Sequence, residues 1–312
     1  MPDEATDIDL DIDLDLDAIS QARGPWEVDV ERADRDAEQV LRAIDFARRD
    51  IFIWAPGTRA RHVHPAFRSA LRAAQPDAGE GNRASLTPLL YEASWHIRRS
   101  APTGMLTLKR VLQGIRTRLA ASSTEHNVYL AGESQGAWII GEMMADADVG
   151  DVATRAVLMG HPMLAGHEYV NGEDDRVVVI NNQLDQVTLD VRGDPSDCLD
   201  AMIAMRTLQF ARPRHLPNTV RALTSNWDHV GLMLLSIGYQ VPRVRNVLRD
   251  PHDYSSDMAR AVDYLYTGEL SAPVEWIKPD PITVAHELAP KLGPKVTPHV
   301  ARALARRKGG AA

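Results

Sequence analysis

The sequence predicts an α/β protein, with a mostly parallel central sheet and helices packed on both faces. Three observations carry that expectation. Short continuous apolar runs, such as Ile51-Phe52-Ile53-Trp54-Ala55 and Val128-Tyr129-Leu130-Ala131, read as strands buried on both sides. Stretches with helical apolar spacing separate these runs. A Gly-x-Ser-x-Gly segment, Gly132-Glu133-Ser134-Gln135-Gly136, stands between one strand and the next helix.

Residues 1–24 form an acidic tail in which 7–17 alternate Asp with Ile or Leu. A strand with that pattern would carry a ladder of repelling carboxylates, so the tail is expected to be disordered. The body, 25–270, opens with a helix over 34–48. The strand Asp50–Ala55 follows and stops at Pro56-Gly57-Thr58. Residues 75–84 are polar and Gly-containing, hence a loop, and Leu86–Tyr91 reads as the next strand. Met105–Ala120 has helical spacing. The strand Val128–Ala131 leads through the serine segment into a helix over Ala137–Met144. Ala156–Met159 and Arg176–Ile180 are two more buried strands. Residues 195–250 break the alternation with helical apolar segments (Leu199–Leu208, Val230–Ile237) and are expected to form a cap. Met258–Leu265 is the closing helix. A Pro-rich, then helical extension, 271–312, is expected to wrap the body or contact another subunit, which would make a homo-oligomer.

Charge and composition narrow the function classes. The net charge is -8, and the first 20 residues hold eight acids and no Lys or Arg, so the rest of the chain is neutral overall. A neutral body lacks the basic footprint of a nucleic-acid binder. The single cysteine, Cys198, allows no intrachain disulfide, and neither a secretory leader nor a run of about 18 apolar residues is visible. The expected location is cytoplasmic, with no transmembrane segment. The Arg-, Ala- and Asp-rich style suggests a high-GC bacterial gene.

The serine segment carries the chemistry. A sharp strand-to-helix turn strains the serine backbone, and Gly132 and Gly136 let neighbouring backbone approach. Ser134 then sits at a helix N-terminus, where free N–H groups and the helix dipole favour a developing anion. This is the nucleophile elbow of an α/β-hydrolase fold, in which an acid and then a histidine follow the serine along the chain. Asp185, at the end of a strand running into a loop, is the expected acid, with Asp190, Asp194 and Asp197 as rivals. His252 in Asp250-Pro251-His252-Asp253-Tyr254 is the expected base, and His229 is its rival. The backbone N–H of Gln135 is one expected oxyanion donor. The other comes from the loop after Ala55, through Thr58 or Arg59. His62 and His64 have no carboxylate or cysteine at useful spacing, so neither metal nor cofactor is expected.

Four segments carry a family resemblance. Gly132-Glu133-Ser134-Gln135-Gly136-Ala137 resembles the Gly-x-Ser-Gln-Gly-Ala elbow of the cutinase-like serine esterases, a group that includes PE-PPE-type esterase domains. Ala55-Pro56-Gly57-Thr58 resembles their early oxyanion loop, and Leu184-Asp185-Gln186-Val187 their Asp-Pro-Val acid loop. His252-Asp253-Tyr254 resembles their His-x-x-Tyr loop, with the tyrosine one position early. The chain departs from secreted cutinases in having no disulfide and a longer gap from acid to histidine. The resemblance covers roughly residues 50–265. It implies hydrolysis of a carboxylic ester, of a small molecule or lipid, through an acyl-enzyme without a cofactor. The same triad serves acyltransferases, thioesterases and cyclases, and a non-catalytic binding protein on the same fold is the third reading.

Overall fold

The computed structural model describes residues 27–75, 84–94, 96–162, 174–181 and 252–271. The expected acidic tail, the cap, the C-terminal extension, Asp185 and His229 lie outside these residues. Within them the chain runs α1 (Val30–Ala43), β1 (Asp50–Ala55), α2 (Pro65–Ala73), β2 (Ser85–Pro88), α3 (Ile97–Ala120), β3 (Asn127–Glu133), α4 (Gln135–Ala145), β4 (Arg155–Met159) and β5 (Val177–Ile180). A 3₁₀ turn (Ser255–Asp257) then leads into α5 (Met258–Thr267).

The five strands form one sheet in the order β2-β1-β3-β4-β5, every neighbouring pair parallel. Alternate residues along each strand enter different layers. Ile51 and Ile53 of β1, Val128 and Leu130 of β3, and Ala156 and Leu158 of β4 pack with α1, α3 and α4. Phe52, Trp54, Tyr129, Ala131, Val157 and Met159 pack on the other side with Phe67 and Leu71 of α2 and with Met258, Ala261, Val262 and Leu265 of α5. Both sheet faces are therefore covered, as the unbroken apolar runs require.

Local signals set the helix ends. Asp29 accepts a hydrogen bond from the Arg32 N–H and starts α1 at Val30, four residues ahead of the expected 34. α3 begins at Ile97 rather than 105 and runs through Pro102. A proline has no N–H to give the carbonyl four residues back. That carbonyl, Arg98 O, instead accepts from the Glu27 N–H at 3.0 Å. The missing helical bond thus anchors the segment before α1. The short helix α2 was not anticipated. Its inward face is only Phe67 and Leu71, too little periodicity to be seen in sequence.

The order of the strands fixes where a site can form. The chain moves outward from β1 to β2, then returns past β1 to build β3, β4 and β5. The connections after β1 and β3 therefore diverge and leave a crevice at the carboxyl ends of those two strands, where open α/β sheets bind ligands.

Candidate active site

β3 ends at Glu133 and α4 begins at Gln135, so Ser134 alone makes the turn. Its backbone has φ 54° and ψ -120°, a region that residues with a Cβ rarely occupy. The Ser134 N–H donates to Met159 O at the end of β4 (2.8 Å), and Ser134 O accepts from the Trp138 N–H (3.1 Å). These two bonds hold the strained conformation while the side chain makes no capping bond to the helix. The side chain is half-buried.

The flanking glycines are sterically required. A Cβ on Gly136 would lie 2.7 Å from Pro56 O and closer still to Ala55 O, both backbone atoms. A Cβ on Gly132 would lie 2.8 Å from the Gly136 carbonyl. The loop after β1 thus presses directly onto the elbow. A Cβ at Gly57 would sit 3.4 Å from the Ser134 Cβ, which places that loop beside the serine.

The two oxyanion candidates flank this contact. Gln135 is the first residue of α4, its N–H in the unpaired first turn. On the facing loop the Arg59 N–H donates to Ala93 O, which leaves Thr58 as the loop's candidate donor. Tyr91 donates its hydroxyl to Pro56 O. The buried side chain of Gln135 donates from Nε2 to Ser100 Oγ (3.1 Å), which also accepts from the Ser94 N–H (3.1 Å). The Thr58 hydroxyl lies 3.5 Å from Gln135 Oε1, at the outer limit of a hydrogen bond. Among the described residues, the non-glycine residues with positive φ are Arg59 (67°), Ala93 (46°) and Ser134 (54°). All three sit at this one edge, a concentration of backbone strain characteristic of functional sites.

His252 reaches the same edge from the opposite layer. Arg155, the first residue of β4, donates to the carbonyls of Leu265 and Tyr266 at the end of α5. α5 therefore runs antiparallel to the strands, and the loop before it lies at their carboxyl ends with Ser134. His252 is half-buried in that loop and meets the Tyr254 ring edge-to-face at 5.8 Å. Asp253 next to it accepts from the Ser255 N–H (2.9 Å) and from the Ser255 hydroxyl. His64, in the loop after β1, is also drawn in. Its Nδ1 accepts from the Ala66 N–H at 3.2 Å and caps α2, so a neutral ring carries its proton on Nε2. Burial pulls the His64 pKa below its usual value, and the Asp253 carboxylate only partly opposes this.

Sequence reasoning did not identify Tyr91, Ser94, Ser100 or Asp253 as neighbours of the site. Tyr91, Ser94 and Asp253 lie in loops and Ser100 in the first turns of α3, and no local spacing ties any of them to Ser134. No group of three metal-capable side chains occurs among the described residues.

No protein-family model matches the sequence, and no curated protein matches it. Solved structures do resemble the fold. One is the catalytic core domain of acetyl xylan esterase from Trichoderma reesei. It has a TM-score of 0.36 and 10% identity, over 55% of this chain and 98% of that one. Another acetylxylan esterase structure gives 0.32 and 12%, over 42% and 81%. A cutinase-like protein from Cryptococcus sp. gives 0.29 and 19%, over 38% and 57%.

Proposed function

We propose that the chain is a serine hydrolase that cleaves a carboxylic ester through an acyl-enzyme. The observation that carries this reading is the backbone of Ser134, held at positive φ on a one-residue strand-to-helix turn with the Gly57 loop against it. Such strain persists only where the surrounding structure imposes it. It leaves the hydroxyl at a helix N-terminus, at the sheet's topological switch point.

In this mechanism His252 takes the Ser134 hydroxyl proton as Oγ attacks the carbonyl carbon. The carbonyl oxygen becomes an anion and accepts from the N–H groups of Gln135 and Thr58. Collapse expels the alcohol, which leaves with the proton held by His252. Water then repeats the sequence on the acyl-enzyme, releasing the acid and regenerating Ser134. Asp185 is assigned to orient and stabilise the His252 imidazolium. The substrate is assigned as an ester of a small molecule or lipid. The single cysteine agrees with a reducing, cytoplasmic location. No described helix is long and apolar enough to cross a membrane.

The test is labelling by a fluorophosphonate, followed by turnover of p-nitrophenyl esters from acetate to palmitate. Ser134→Ala should abolish labelling, and Ser134→Ala and His252→Ala should each lower kcat by roughly 10⁴-fold or more. Loss with His229→Ala but not His252→Ala would reassign the base. Labelling without ester turnover would favour transfer to an acceptor other than water. A wild-type chain that neither labels nor turns over would refute the reading.

A further inference from the structure

The two oxyanion donors of the proposed hydrolase sit on different pieces of chain. Thr58 is on the loop after β1, and Gln135 begins α4. Their spacing must hold to a fraction of an ångström, because donors that reorganise during the reaction lose their advantage. The connection from β2, together with the first turns of α3, touches both pieces.

On the loop side it brackets Thr58. The Tyr91 hydroxyl donates to the carbonyl of Pro56, two residues before Thr58, and the Ala93 carbonyl accepts from the N–H of Arg59, one residue after. Arg59 and Ala93 are both held at positive φ, so this bond joins two strained residues. On the helix side Ser100 Oγ receives the Gln135 side chain at 3.1 Å. Ser94 donates its N–H to the same oxygen and ties the connection to α3. Ser100 is fully buried and Tyr91 nearly so. The Tyr91 ring is seated against Gly104 of α3, where an added Cβ would meet it at 3.0 Å. Burial pushes the Tyr91 phenol far above its usual range, so it remains a donor at any working pH.

We propose that Tyr91 and Ser100 are positioning residues that together clamp the oxyanion hole, Tyr91 fixing the Thr58 side and Ser100 the Gln135 side. Both act through the donors rather than on substrate. This inference rests on the serine-hydrolase reading.

Tyr91→Phe removes one hydroxyl and keeps the ring; Ser100→Ala removes one acceptor. Each variant is compared with wild type for p-nitrophenyl butyrate turnover, for affinity toward an alkylboronic acid and for melting temperature. The boronic acid forms a tetrahedral adduct on the serine. Each should lower kcat about tenfold with KM within twofold, as expected when donors slacken only toward the tetrahedral state. Boronate affinity should weaken by the same factor, while the fold is retained. A purely structural role would lower the melting temperature without moving boronate affinity. Folded variants with kcat and boronate affinity within twofold of wild type would overturn the clamp, as would a rise in KM alone. If one variant does not fold, the other decides. An inactive, unlabelled wild type would instead refute the hydrolase reading, and the clamp with it.

Discussion

At the residue scale, the elbow is defined by which positions can carry a Cβ. Gly136 cannot, because its Cβ would enter the backbone carbonyls of Ala55, the last residue of the β1 ladder, and of Pro56, which accepts from the Tyr91 hydroxyl. Gly57 nearly can, its Cβ meeting Glu133 O at 3.2 Å and the Ser134 Cβ at 3.4 Å. Gly136→Ala should therefore cost about 3–5 kcal/mol or prevent folding, whereas Gly57→Ala should fold with a loss near 1 kcal/mol and reduced turnover. Urea denaturation of both variants checks this contrast. Equal stabilities would show that the loop yields to the helix, and that the close approach is not enforced.

At the element scale, α2 depends on an unusual cap. His64 starts the helix by accepting the Ala66 N–H, and Pro65 follows at the first helical position, where its missing N–H does no harm. His64→Ala should lose roughly 1 kcal/mol of stability, and His64→Asn, whose side chain also accepts, should recover most of it. The pH dependence has a definite sign. Burial keeps folded His64 below its usual pKa of 6.5, so the unfolded chain binds that proton first. The stability from neutral His64 is complete above 6.5 and is lost as pH falls through 6.5 toward the folded value. Urea midpoints between pH 5 and 7.5 should slope for wild type and flatten at this step in both variants. An unchanged slope in His64→Asn would assign the step to another group. The strands were legible in sequence because each is an apolar run with polar or Pro-Gly ends. β1 falls on Asp50–Ala55 as expected, while β2 is shorter than Leu86–Tyr91. Tyr91 left that strand to reach Pro56, a contact with no local signature.

At the scale of the whole molecule, ion pairs tie separate elements together. Lys109 of α3 meets Asp146 just after α4 and Asp148 beyond it, each at 2.8 Å. Arg99 of α3 meets Asp29 at the head of α1 at 2.9 Å. Hydrogen bonds from Lys109 and Arg99 hold Asp146 and Asp29 below the usual carboxylate value of 3.8, and Arg176 does the same for Asp174. Carboxylates depressed in the folded state stabilise it above 3.8, and that contribution is lost as pH falls through their folded values. The share of the melting temperature that these pairs supply should thus change little from pH 5 to about 4 and drop steeply below. Salt near 0.5 M should weaken these partly exposed pairs already at pH 5. A steep fall starting well above pH 4 would point to other groups as the source of acid lability.

The sequence by itself determined the α/β class, the strands, and Ser134 with its two glycines, because each is written in a few consecutive residues. An apolar run wants burial on both faces, and a Gly-x-Ser-x-Gly turn needs bare neighbours wherever it folds. Only the tertiary structure decided that the crevice lies between β1 and β3, since strand order follows from how helices share the two faces. It also decided that the Arg59 N–H is taken by Ala93, which leaves the Thr58 N–H as that loop's candidate donor. Tyr91 and Pro56, like Ser100 and Gln135, stand 35 residues apart in the chain. Such pairs meet only when sheet register and helix packing bring them together, and no local preference of any of the four residues encodes that meeting.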